Sequence, residues 1–186
     1  MRLRGRNRWG ISIAQREIGI TPAQASDAAL IVRFVRALAA YEKEPPETVR
    51  VTEADIVRDG FGERPRFEAL IAEIDGVAAG FALFFPNYST WEGLPGLYVE
   101  DIFVEESARR HGVGRRLMAA VARIARERGF ARLDLAMLDW NPARGFYRRL
   151  GFRHMELWQP FRLESRALEG LARESAADGE LTPDES

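Results

Sequence analysis

The stretch Leu97-Tyr98-Val99-Glu100-Asp101-Ile102-Phe103-Val104, followed four residues later by Arg109-Arg110-His111-Gly112-Val113-Gly114, decides the fold of this chain. The first part reads as a strand whose apolar side chains are interrupted by two carboxylates. The second is a turn that can feed a strand into a helix, because its glycines let backbone N–H groups approach an anion closely. Downstream, Val113, Leu117, Ala120, Val121 and Ile124 keep the period of a helix that ends at Gly129, a residue suited to the left-handed C′ position. The N-terminus of that helix adds a favourable dipole potential for a phosphate. A plain turn with solvated arginines is the alternative reading. No Gly-Lys-Ser/Thr follows and no Gly-x-Gly-x-x-Gly occurs, which argues against Walker-type and Rossmann nucleotide sites.

Glu100 and Asp101 carry the second signal. Neighbouring strand residues point to opposite faces, so at least one of the pair is directed at a buried or cleft surface. A carboxylate there is costly unless it is paired or functional. The bland alternative is one solvated side chain and one structural ion pair.

Working outward, residues 17–21 read as a first strand. Thr21-Pro22 then reads as the N-cap and first position of a helix. Its buried face is Leu30, Ile31, Phe34, Val35, Leu38 and Tyr41, and Pro45-Pro46 ends it. Thr52 with Asp55 forms a capping box for a second, short helix. Residues 67–74 and 77–85 flank Asp75-Gly76, a two-residue hairpin signal. Residues 131–137 read as a strand, 142–150 as a helix closed by Gly151, and 157–163 as a final strand. Strands paired first by a hairpin and later joined through helices predict an α/β fold, with a mixed, mostly antiparallel central sheet flanked by helices.

Composition narrows the function. The 186 residues suit one domain with one sizeable core. A net charge of -1 lacks the basic footprint of a nucleic-acid binder. No apolar run reaches the ~18–20 residues of a membrane span, and the Arg-studded start does not read as a secretory signal. A cytoplasmic protein without nucleic-acid or membrane partners is expected. With no cysteine and only His111 and His154, no metal site is expected. Lys43 is the single lysine among 27 cationic side chains. The basic residues 1–16 and the acidic residues 173–186 read as poorly ordered extensions around a domain of residues 17–172.

The order strand, Arg-x-x-Gly-x-Gly, long helix, strand, Asn141, short helix with Tyr147, then Gly151-Phe152 resembles the GCN5-related N-acetyltransferases (GNAT superfamily). Tyr41-Glu42, Thr52-Glu53-Ala54-Asp55, Asp59-Gly60-Phe61-Gly62-Glu63, Tyr88-Ser89-Thr90-Trp91 and Leu138-Asp139-Trp140-Asn141 resemble the diamine (spermidine/spermine-type) and thialysine N-acetyltransferases within it. The Ser89-Thr90 pair is as in the thialysine type.

The resemblance implies the GNAT fold, with strands splayed at an acetyl-CoA site, and a homodimer with residues 157–163 contributing to its interface. It implies acetyl transfer from acetyl-CoA to the primary amine of a small molecule, by direct attack in a ternary complex. Tyr147 is then the general acid for the departing thiolate and Glu100 the base for the incoming ammonium. Arg109, Arg110, His111, Gly112, Val113, Gly114 and Arg115 would hold the pyrophosphate, Ile102, Phe103 and Val104 the pantetheine arm, and Asn141 another part of the coenzyme. Glu42, Trp91, Asp101, Glu156 and Trp158 would line the amine pocket, where acids and aromatic faces suit a cation. Protein N-terminal or lysine acetylation, and a non-catalytic CoA-binding domain, are the alternatives.

Overall fold

The computed structural model describes residues 16–177, which fall into two compact units that divide after Phe146. In the first, β1 (Ile18–Pro22) leads through a 3-10 turn into α1 (Ala28–Tyr41) and α2 (Glu53–Phe61). The hairpin β2 (Glu68–Ile74) and β3 (Val77–Ser89) follows, then β4 (Leu94–Val104), α3 (Val113–Glu127) and β5 (Leu133–Leu135). Helix α4 (Arg144–Leu150) carries the chain across the division, and α5 (Ser165–Ala177) lies in the second unit.

The five strands form one sheet in the order β1-β2-β3-β4-β5. The first four pair antiparallel, and β5 adds to β4 in parallel. The expected mixed, mostly antiparallel sheet is what forms. Asp75 and Gly76 both take positive φ, 51° and 80°, as a two-residue hairpin of this twist requires. Thr52 caps α2 by accepting from the Asp55 amide, while the Asp55 carboxylate accepts from the Thr52 amide.

Both sheet faces are covered. Ile31, Val32 and Phe34 of α1 join Ile56 of α2 against Ala69, Ile71, Phe81, Leu83 and Phe103 of the sheet. The Phe34 ring stacks on Phe81 at 5.6 Å and tilts against Phe103 at 5.9 Å. Helix α3 contacts β1 to β4 and buries Val113, Leu117, Met118, Val121 and Ala125. This two-sided cover explains why residues 69–72 are buried without alternation.

Three local expectations are corrected. The first helix does not open at Pro22: β1 runs through that residue against Leu70, and the helix is entered through Ala25–Asp27, capped by a Gln24/Asp27 box. The parallel edge strand spans only residues 133–135, because pairing with β4 stops at Val99. Residues 157–163 form no strand: no ladder partner exists for them among the described residues, and Leu157 and Phe161 are 97% and 92% exposed. Helix α5 (Ser165–Ala177) forms in a segment for which the sequence predicted no element. Residues 1–15 and 178–186 lie outside the described residues.

The stacked phenylalanines generate a stability prediction. Phe81 is fully buried, so Phe81→Ala leaves a ring-sized cavity beneath α1. Urea denaturation should show a loss of about 3–5 kcal/mol.

Candidate active site

The site is built on an irregularity in β4. Asp101 lies opposite Leu83 of β3, yet Val99 lies opposite the next residue, Phe84, so Glu100 is an extra residue without a partner. Such a bulge reverses the alternation of the strand. Asp101 therefore shares the α1 face with Leu83, whereas Val99 shares the opposite face with Phe84. Glu100 is exposed and Asp101 half-buried.

Helix α1 delivers a further acid to the same face. Its last turn holds no basic residue and Glu42 is its C-cap, so a carboxylate sits at the negative end of the helix dipole. Burial and the neighbouring Glu44 both raise the Glu42 pKa. Burial, with the charges of Glu100 and Glu42, lifts the Asp101 carboxyl to about 6. Glu42, Glu100 and Asp101 thus form one electronegative cluster.

Aromatic rings frame it. Tyr41 lies 6.4 Å from Trp140, and the Lys43 ammonium stands 4.7 Å over the Trp140 ring. The Arg109 guanidinium stands 4.5 Å over Tyr41 and 5.9 Å from Phe103, and its Nε donates to the Val104 carbonyl at 3.0 Å. Arg109 therefore ties its turn to the end of β4. Tyr41, Lys43 and Trp140 were not expected as site residues. The signal that could have found them is an aromatic on each side of the acids: Tyr41 next to Glu42, and Trp140 just past the parallel edge strand.

The glycine turn prepares an anion site. Arg110 and Gly112 take left-handed φ of 66° and 88°, which turns successive amides toward the start of α3. Gly112 is the N-cap, no side chain caps the helix, and no acid stands in its first turn. Its leading amides and its dipole are thus available to an anion. At Gly114 an added Cβ would come 3.4 Å from the Phe146 ring, so the turn is closely packed there. Arg110, His111 and Arg115 are exposed, Val113 is buried, and Arg116 donates to the Ile18 carbonyl at 2.8 Å.

Between the turn and the bulge, β4 has one edge without a strand. Its ladder with β5 covers residues 97–99 only, so residues 100–104, including Ile102, Phe103 and Val104, have no strand on that side among the described residues. This edge and the turn fit an extended thiol arm ending in a pyrophosphate, as coenzyme A has. Asn141 accepts from the Ala143 amide at 2.9 Å through its Oδ1, which starts the segment leading to α4.

Trp91 lies apart from the cluster. Trp91, 86% exposed, sits in the turn beyond the Ser89–Leu94 pair. That pair is six residues along β3 from Leu83, opposite Asp101, or about 20 Å at strand rise. One chain thus does not bring Trp91 to its own Asp101. In the second unit, Tyr147 is half-buried and meets Phe152 edge-on at 5.8 Å. Glu156 is exposed, 3.9 Å from His154 Nδ1, and Trp158 is exposed. No helix among the described residues is long and apolar enough to cross a membrane, and no group of three or more suited metal ligands occurs among them.

Comparison with known proteins agrees with this geometry. The acetyltransferase (GNAT) family model matches residues 34–152. The chain is 37% identical over 165 residues to thialysine N-epsilon-acetyltransferase of Bos taurus, covering 82% of this chain and 96% of that protein. It is 31% identical over 166 residues to the spermidine/spermine N(1)-acetyltransferase-like protein 1 of Homo sapiens, covering 83% of this chain and 24% of that protein. In fold it is similar to the aminoglycoside N-acetyltransferase AAC(6')-Iy solved with CoA, with a TM-score of 0.63 at 23% identity, over 79% of this chain and 95% of that one. With the bulged strand, the unpaired edge and the glycine turn all in place, the chain belongs to the GNAT family of acetyltransferases and is an acetyl-CoA-dependent N-acetyltransferase.

Proposed function

We propose that this enzyme acetylates the primary amine of a small dibasic molecule, of the diamine, polyamine or thialysine-like class, by direct attack in a ternary complex. The observation that carries the reading is the cluster of Glu42, Glu100 and Asp101 at the bulge, next to the unpaired edge of β4. Burial first, and neighbouring carboxylates second, raise the Glu42 and Asp101 pKa values, and a bound ammonium offsets that cost.

The chemistry divides among this chain's groups. Amides of the turn before α3, with the exposed Arg110 and Arg115, hold the pyrophosphate. The open edge of β4 holds the extended arm and aims an amide at the thioester carbonyl, where it stabilises the oxyanion. Glu42 and Asp101 hold the substrate ammonium. An amine of pKa ~10 must lose a proton before it attacks. Glu100, directed to solvent by the bulge, takes that proton through water. The N–C bond forms to give a tetrahedral adduct, which loses its surplus N–H proton to water; the C–S bond then breaks as the oxyanion collapses, and Tyr147 protonates the departing thiolate. We also propose a homodimer. The exposed Leu157, Trp158 and Phe161 support it, as does the 86% exposure of Trp91 in the turn after Ser89. Light scattering should then give twice the 21.0 kDa of one chain.

Variants at three residues test the reading. Tyr147→Phe should lower kcat by roughly 10²–10⁴-fold while acetyl-CoA binding, read by calorimetry, is kept. Gly112→Asp should raise the acetyl-CoA KM sharply, since it adds a strained residue and a negative charge at the anion site.

Asp101 sets the pH dependence. Its pKa is raised, so it is ionised and binds the amine above about pH 6, and amine KM should climb as pH falls through 6. Asp101→Asn should remove that limb. The same raised pKa makes the ionised carboxylate a cost to folding above about pH 6, and that cost is gone below its unfolded value near ~4. Asp101→Asn should accordingly stabilise the protein at pH 8, by up to about 3 kcal/mol, and not at pH 4.

A further inference from the structure

Lys43 occupies a position that its chemistry does not favour. It is the C′ residue of α1, with φ of 64°, a left-handed conformation that glycine adopts at no steric cost. The helix closes around it: the Lys43 amide donates to the Ala40 carbonyl at 3.2 Å and the Glu44 amide to that of Ala39 at 3.0 Å. Neither bond needs a side chain. Yet this position holds the single lysine of a chain whose other cations are all arginine.

The strained backbone sets the ammonium on the Trp140 ring, at 4.7 Å, next along the chain to the Glu42 carboxylate. A cation over an aromatic face keeps its charge available to an anion. Two arginines of this region are engaged. Arg109 is held by the Val104 carbonyl and the Tyr41 ring, and Arg144 by Asp139. No ion pair joins Lys43 to a carboxylate among the described residues. The C-terminal end of α1 therefore presents acids for an ammonium and, beside them, the exposed Lys43 ammonium. A diamine would bring its second ammonium against that charge. An amino acid with a side-chain amine would bring a carboxylate.

We propose that Lys43, seated on Trp140, is a specificity-determining residue that binds the carboxylate of the amine substrate and disfavours a second ammonium. This rests on the reading of the acid cluster as the amine site. It predicts that the enzyme prefers dibasic amino acids to the diamines that differ from them only by loss of the carboxyl group.

The experiment measures kcat/KM for L-lysine against cadaverine, and for L-ornithine against putrescine, in the parent, Lys43→Gln, Lys43→Glu and Lys43→Arg. In the parent the amino acid of each pair should be favoured. Lys43→Gln should lower the amino-acid/diamine ratio about tenfold or more, mostly through the amino-acid KM, as loss of a charge-assisted contact implies. Lys43→Glu should favour the diamine, and Lys43→Arg should retain the parent preference. Acetyl-CoA binding by calorimetry, unchanged in all variants, verifies that they are folded. A parent that favours diamines, or a ratio that Lys43→Gln and Lys43→Glu leave unaltered in folded protein, overturns the proposal while the amine site stands. A parent that acetylates neither amine of either pair overturns both.

Discussion

The one extra residue in β4 is the constraint from which the site follows. Without the bulge at Glu100, strict alternation would put Asp101 on the same face as Val99, against α3, where an ionised carboxylate would have no partner charge and no water. With it, Val99 stays in the core behind α3, Phe103 stays in the core beneath α1, and the two carboxylates between them lie at the change of face. The ladder to β5 ends at the same point, after Val99. Bulge and loss of the neighbouring strand together turn the middle of a central strand into an edge, and an edge strand can accept another extended chain.

The electrostatics around the bulge run against folding and in favour of binding. Glu42 stands at the negative end of α1 and Asp101 is half-buried; burial raises both pKa values, helped by Glu44 at the first and by Glu100 and Glu42 at the second. The rest of the unit offsets this cost through the stacked Phe34 and Phe81 and the apolar face of α3. A cationic ligand recovers the lost interaction, and an anionic or neutral one does not. At the other end of the β4 edge the sign is opposite: an uncapped helix start, free of acids, faces the turn of residues 109–112. The two ends of this strand edge thus differ in the sign of the charge they favour, as the proposed phosphate-bearing and ammonium-bearing ligands require.

The turn also shows that residues of one motif divide their work. Gly112 and Arg110 supply left-handed backbone, and Gly114 supplies close packing against Phe146. Arg109 is spent on the Val104 carbonyl and the Tyr41 ring, so its charge locks the turn to β4 and α1. Lys43 shows the reverse case: a charged residue that no backbone need explains, held on Trp140 at the rim of the acids.

Much of this was legible in the sequence because it depends on local physics. The Asp75-Gly76 hairpin, the Thr52/Asp55 box, the apolar period from Val113 to Ile124 and the glycine turn before it each follow from backbone sterics or from periodicity within a few residues. The presence of acids in an apolar strand was legible too, as was the need to direct one of them inward. Which one turned inward was not, since alternation gives the same pattern for either until the pairing register is known. The register places the bulge at Glu100, stops β5 at Leu135 and carries Trp91 some distance from Asp101, and register is set by contacts between strands far apart in sequence. For the same reason residues 157–163, apolar enough for a strand, are not one: local propensity proposes a strand, and only an available ladder partner makes it.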